Sequence, residues 1–502
     1  MIVDVQKIKI EEIKTIIHYI GFVIICIALF MIIPIGTSLI YNDNLTYLYS
    51  FIISTVISLI IGLILYYVYT SKKLIELSLK GSLIFVLSIW IFSAFFCALP
   101  LMISGDLSFI DAYFEAMSGI TSTGFTMYSQ TPVAYSIRIW RSLLQWFGGL
   151  GIIFLLLVIL PSSVSLKRLY FAEGKTEQMT PNIKHTSKIF VQIYAILTII
   201  AITLYLLVGL DFFNAICYSF SGLGTGGFSA DSNNLNNFNN PLIQIVTIIV
   251  MIMGGTNFVM HYHIMKGKWR NMLKDIEVRY MFLFIVLATI IIAFNLLQHN
   301  VYNHDIITTF RHALFQVISI LTSTGFQTTD INVWPALSFH VLIILMFIGG
   351  SVCSTASGIK IYNIVLMIKS VWWEIQSIYL PKNIVVRRKL FHDNKEIDIT
   401  FMMVKSVLIF IITYILLFVV STIILLVFCN DFQIAYSIVA GSIGNTGLGP
   451  SYINTSIPDI VKIVLIFDFL AGRIGLWPAL LPLVYLNNNI QNRYNKNFKY
   501  DG

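Results

Sequence analysis

Charge is what this sequence has least of: Asp, Glu, Lys and Arg make up 11% of its 502 residues, 57% are hydrophobic, and the mean hydropathy is +0.83. Soluble globular chains carry about a quarter charged residues, so a water-soluble fold is excluded and a bilayer is required. Long polar intervals are scarce too. The longest, about 369–400, reads as a loop, which leaves no room for a separate soluble domain. Cysteine is sparse: Cys26, Cys97, Cys217, Cys353 and Cys429 lie singly in apolar runs, without CxxC pairing or metal-ligand spacing, and read as small buried hydrophobes. No GxxxxGK[ST] phrase is present, and no nucleotide is expected on this chain. The N-terminal lead contains acids and its apolar run continues to about Ile40, unlike a cleaved signal, so the first helix is expected to be retained.

The net charge of +8 does not point to nucleic acid, because in a membrane chain the placement of Lys and Arg carries the information. They fall in six clusters: Lys7 to Lys14, Lys72 to Lys80, Lys167 to Lys188, Lys266 to Arg279, Lys369 to Lys395 and Arg493 to Lys499, together 25 of the 32. The positive-inside rule puts all six in the cytoplasm, where anionic lipid adds to their attraction. The stretches 42–44, 231–240, 300–305 and 449–459 hold no Lys or Arg and belong outside. Each excursion then contains an even number of crossings. The sequence predicts an all-α polytopic membrane protein with ten transmembrane helices and both termini cytoplasmic.

Four excursions share one phrase: 118–125 SGITSTGF, 221–228 SGLGTGGF, 319–326 SILTSTGF and 441–448 GSIGNTGL. The candidate loops are Thr121-Ser122-Thr123-Gly124, Gly224-Thr225-Gly226-Gly227, Thr322-Ser323-Thr324-Gly325 and Gly444-Asn445-Thr446-Gly447. Before each lies an apolar segment too short to span (110–118, 212–220, 307–318 and 432–440), and after each a polar linker and a second helix. The expected divisions are a two-helix extension over 1–74 and pore-loop repeats over 75–184, 185–278, 279–398 and 399–502. The four re-entrant half-helices make the repeats pseudo-symmetric around one pore.

Irregular backbone at membrane depth is tolerated only where it is buried in protein or lines water, so four such loops need a shared aqueous axis. A half-helix aims its C-terminal dipole, about half a negative charge, at the cavity and favours a cation. Loop carbonyls can replace part of an alkali cation's hydration shell, and the glycines Gly124, Gly227, Gly325 and Gly447 allow the backbone angles that aim them. A monovalent cation is expected at those glycines.

Two further features lie within the membrane. The segment Gly349-Gly350-Ser351, Ser354-Thr355, Ser357-Gly358 and Lys360 interrupts the second helix of the third repeat, and Arg473 sits about a dozen residues into the last one. A charge at that depth marks a functional site by default. Asp468 is one possible partner of Arg473, while Glu115 could support the filter or line the outer mouth. Lys360 is equally explained by snorkelling. His261 and His263, at i and i+2, face different ways and make no metal set.

The fourfold phrase, together with 148–152 GGLGI, 254–258 GGTNF, the 349–360 segment and 472–475 GRIG, resembles the TrkH/KtrB superfamily of potassium transporters over essentially the whole chain. The extra N-terminal helix pair looks like the TrkH and TrkG branch, the closing Gly-Arg-Ile-Gly like KtrB. The resemblance implies potassium uptake across the bacterial inner membrane, with potassium as substrate. It makes 349–360 the intramembrane gating loop, contacted by Arg473. It also implies a homodimer and a cytosolic TrkA- or KtrA-like nucleotide-binding ring as partner. Some family members are described as symporters, so sodium- or proton-coupled uptake is the alternative; against it, all four repeats keep one orientation where many secondary transporters use inverted repeats. An intramembrane enzyme is disfavoured, since no Ser/His, Asp/Asp or metal-ligand set converges.

Overall fold

The computed structural model describes residues 10–69, 77–128, 133–151, 182–229, 240–379, 388–392, 395–449, 452–475 and 478–480. The basic clusters at 7–9, 72–73, 167–175 and 493–499, and both termini, lie outside the described residues. Helices dominate, as expected of an all-α polytopic membrane protein. Six described helices are long and apolar enough to cross a bilayer: Ile10–Ile40, Leu45–Val68, Lys80–Ile103, Ile183–Leu207, Ile276–Gln298 and Phe401–Phe428. The first two form the N-terminal extension. Gly21 and Gly62 let their backbones close up, since a Cβ on Gly21 would meet Tyr66 N at 2.7 Å.

The half-helices are Phe109–Ile120, Phe212–Leu223, Ile306–Leu321 and Phe432–Ile443, of 12, 12, 16 and 12 residues. At 1.5 Å per residue these reach about 18–24 Å, short of the roughly 30 Å of hydrocarbon. Each starts at a side chain that accepts from a first-turn amide: Ser108, Asp211, Asp305 and Asp431. Hydrogen bonds from Thr308 hold the Asp305 carboxyl below the usual carboxylate range.

The second helix of each repeat departs from an unbroken span. Tyr135–Leu150 stops at Gly151, Ala336–Phe347 stops before Gly349, and Asp459–Ile474 stops at Gly475. Pro241–Gly255 and Phe258–Met265 meet at 103°. The cause is close packing onto the half-helix ends. A Cβ on Gly148, Gly254 or Gly472 would land on the carbonyl oxygen of Ile120, Leu223 or Ile443, the last residue of a half-helix in each case.

The interval 369–400, expected to be a loop, is otherwise. Helix Ile361–Tyr379 runs into it, and strands β1 (Lys389–His392) and β2 (Lys395–Asp398) pair antiparallel, Leu390 opposite Ile397. Leu390 is buried against Leu366, Trp373 and Ile399, which is what folds this polar stretch back onto the helices. Of the cysteines, Cys97, Cys217, Cys353 and Cys429 are buried and Cys26 is half-buried.

Candidate cation-conduction site

Every half-helix ends the same way. The residue after the cap is left-handed (Ser122, φ 55°; Thr225, 50°; Ser323, 56°; Asn445, 50°), and so is the glycine two places on (Gly124, 95°; Gly227, 76°; Gly325, 85°; Gly447, 59°). Around the first of these the chain closes a paired cap: Ser122 N donates to Gly119 O and Thr123 N to Ser118 O, with matching bonds from Thr225 and Gly226, Ser323 and Thr324, and Asn445 and Thr446. A left-handed non-glycine residue costs about 1–2 kcal/mol, so four at equivalent places are held by their surroundings.

The four loops close into a ring. A Cβ built on Gly124 would land on the Gly226 carbonyl oxygen, on Gly227 the Thr324 oxygen, on Gly325 the Thr446 oxygen, and on Gly447 the Thr123 oxygen. Each glycine therefore lies against the carbonyl of the next repeat, in the order first, second, third, fourth, first. Only a missing side chain permits this approach.

Support for the strands differs between repeats. Thr121 and Thr123 share a hydroxyl contact of 2.7 Å, and Thr322 and Thr324 one of 2.8 Å. Ser118 and Ser319 donate to the Phe125 and Phe326 carbonyls. In the fourth repeat Asn445 Nδ2 reaches Thr123 Oγ1 at 2.7 Å and Phe469 O at 2.9 Å, tying the last strand to the first. Lys462 repeats that closure nearer the N-caps with a buried ion pair to Asp111 at 2.5 Å.

Glu115 has a partner that the sequence does not reveal. It is fully buried and pairs with Arg141 Nε at 2.7 Å; it also accepts from Thr126 Oγ1 at 3.0 Å and Met127 N at 2.7 Å, which fastens the chain just beyond Gly124. The Arg141 guanidinium lies 4.2 Å from the Phe228 ring centroid, so one ion pair braces two repeats.

The loop Gly349–Lys360 folds beneath the ring. Its start and end are bridged by Gly349 N to Ile359 O at 2.8 Å, with Gly358 left-handed at φ 74°. Ser351 N and Thr355 N donate to Gly255 and Gly254 carbonyls, and Thr355 Oγ1 donates to Leu223 O at 3.0 Å. Ser354 Oγ returns to Ser351 O, and Lys360 Nζ to Ala356 O. Arg473 reaches the loop from the fourth repeat: it donates to Thr355 O and, at 3.3 Å, to Ser357 Oγ, and also to the carbonyls of Gly148 and Gly149. All four repeats meet at this point. Asp468 takes Ser421 Oγ as its donor at 2.8 Å. His261 faces Met253 O at 2.9 Å.

Two residues absent from the sequence reading anchor the loop from the other side. Glu277 Oε1 accepts from Val352 N at 2.9 Å and Tyr362 N at 3.3 Å. Asp275, two residues before, faces His392 of β1 at 3.2 Å, which connects the loop to the hairpin. A cavity of about 800 Å³ lies between them, its lining including Ser354, Lys360, Arg473 and His392.

The comparisons with known proteins agree with this architecture. The family model for TrkH, described as a cation transport protein, matches residues 48–492. The Trk system potassium uptake protein TrkG of Escherichia coli strain K12 is 31% identical over 488 residues, covering 94% of this chain and 98% of that protein. TrkH of the same strain is also 31% identical, with 93% and 98% covered. The crystal structure of the potassium transporter TrkH from Vibrio parahaemolyticus superposes with a TM-score of 0.83 at 29% identity, covering 94% of this chain and 98% of that one. This integral membrane chain, with its four capped half-helices and closed glycine ring, belongs to the TrkH family of cation transport proteins, a family of transporters and not of enzymes.

Proposed function

We propose that this chain carries out potassium uptake across the bacterial inner membrane, with the four loops as its selectivity filter. The observation that carries the reading is the ring of four glycine-to-carbonyl approaches, which brings backbone oxygens from all four repeats around one axis, as dehydrating an alkali cation requires. Four half-helix C-termini converge on that ring and add negative potential. The TrkG and TrkH relatives are named potassium uptake proteins, which supports potassium as the cation.

In this reading the half-helix N-caps face outward, both termini are cytoplasmic, and the chain comprises an extension over 1–74 and repeats over 75–184, 185–278, 279–398 and 399–502. The loop Gly349–Lys360, pinned by Arg473, is the gate: its backbone and the guanidinium stand under the filter, and a fixed cation near the axis repels a permeating one. A cytosolic nucleotide-binding ring and a second copy of the chain are the proposed partners. The connection from loop through Glu277 and Asp275 to the β1–β2 hairpin offers the ring a route to the gate.

Reconstitution into vesicles tests the function. The reversal potential should track the potassium gradient alone. A reversal potential that shifts with an imposed sodium or pH gradient supports coupled symport, and one insensitive to potassium removes the proposal.

A further inference from the structure

The second strand, Gly224-Thr225-Gly226-Gly227, has no side chain at its first and third positions. The third position is threonine in the other three strands (Thr123, Thr324 and Thr446). In the first and third strands that threonine bonds the first-position hydroxyl. Glycine at these two positions gives the strand extra conformational freedom to lose, about 0.5–1 kcal/mol per glycine.

The space is filled from another repeat. Gln145 is fully buried on helix Tyr135–Leu150, one turn below Arg141. A Cβ on Gly226 would meet Gln145 Cγ and Oε1, each at 2.6 Å, so the glutamine side chain occupies the volume that a threonine would take. Its carboxamide brackets Gly227: Nε2 donates to Gly226 O at 2.7 Å and Oε1 accepts from Phe228 N at 3.0 Å. The Phe228 amide can only donate, which fixes the orientation of the carboxamide. Ser122 of the first strand donates to the backbone oxygen of the same glutamine at 3.3 Å.

We propose that Gln145 is a positioning residue of the filter: it supplies in trans the support missing from the second strand and, through the Gly226 carbonyl, sets discrimination between potassium and sodium. This rests on the ring being the filter. Gly226 O is the ring oxygen against which Gly124 packs, so a carbonyl released by loss of the Nε2 donor loosens two strands at once.

The test is the potassium-to-sodium permeability ratio of purified full-length protein in vesicles, for Gln145→Ala, the equal-length Gln145→Met, Gly226→Thr and the double variant Gln145→Ala/Gly226→Thr. Both single Gln145 variants should lower the ratio by roughly tenfold, the effect expected of one lost hydrogen bond. Gly226→Thr should fail through collision with Gln145, and the double variant should regain the ratio. If the single variants do not fold, recovery of both folding and ratio in the double variant supports the proposal and its failure to recover overturns it. A wild-type ratio in folded Gln145→Ala and Gln145→Met overturns it as well. Gly325→Ala run alongside separates the two readings: loss of selectivity there with none at Gln145 refutes only the role of Gln145.

Discussion

Gly325 and Gly105 form a matched pair for asking what the filter glycines contribute. Both are left-handed, at φ 85° and 84°, so an alanine at either position meets the same backbone penalty, about 1–2 kcal/mol. Their surroundings differ. A Cβ on Gly105 finds nothing within 4 Å, whereas one on Gly325 overlaps the Thr446 carbonyl oxygen and sits 3.1 Å from its carbon. Relief at Gly325 must come from backbone, by about an ångström, a displacement that costs roughly 100-fold where positioned atoms do the work. Gly105→Ala should therefore lower thermal stability modestly and leave rubidium flux and its sodium competition unchanged. Gly325→Ala should lose at least most of the flux or the discrimination while remaining monodisperse in detergent. Equal behaviour of the two folded variants, whether both active or both dead, would refute the assignment of steric closeness as the reason for glycine.

Three other outcomes are expected. Arg473→Ala removes the donor shared by Thr355, Ser357, Gly148 and Gly149 and should raise basal flux; unchanged or abolished flux in a folded variant counts against the gate. Arg141→Met leaves Glu115 buried without its cation and should cost about 3–5 kcal/mol in thermal unfolding, with Glu115→Gln/Arg141→Met recovering a substantial part. Absence of that recovery would mean that the pair is not the source. Glu277→Gln replaces a charged acceptor by a neutral one at the Val352 and Tyr362 amides, weakening the anchorage by about 1 kcal/mol, so hydrogen exchange at those two amides should quicken about fivefold while Gly349 stays protected.

The parts of the fold set by local chemistry were legible in the sequence. The fourfold phrase located all four loops, because a left-handed glycine two residues past a strained cap is a backbone demand that only certain residue types meet. The caps Ser108, Asp211, Asp305 and Asp431 were not read from the sequence, although each is a residue type whose side chain accepts from first-turn amides. What escaped notice acts between segments distant in sequence. Glu115 and Arg141 are 26 positions apart, Gln145 and Gly226 are 81 apart, and Glu277 and Val352 are 75 apart. Nothing in the spacing of such pairs marks their contact, since it is made by the packing of elements far apart in the chain. Gln145 did leave one trace: the second phrase lacks the threonine of the other three, and a missing side chain inside a repeat asks what fills its place. Apart from the third, whose interruption over 349–360 was legible, the second helices read as plain spans because hydropathy is blind to breaks; the pairs Gly148-Gly149 and Gly254-Gly255 held the information. The hairpin was hidden by its length, four residues per strand, with only Leu390 and His392 deeply buried.

Everything rests on whether a cation sits within the glycine ring. Crystals of the full chain grown in rubidium, with anomalous scattering recorded at its absorption edge, address this directly. The account predicts a rubidium peak on the axis, about 3 Å from the carbonyl oxygens of Thr123, Gly226, Thr324 and Thr446, displaced when sodium replaces rubidium. Ordered rubidium elsewhere in the protein, with none at the ring, would contradict it.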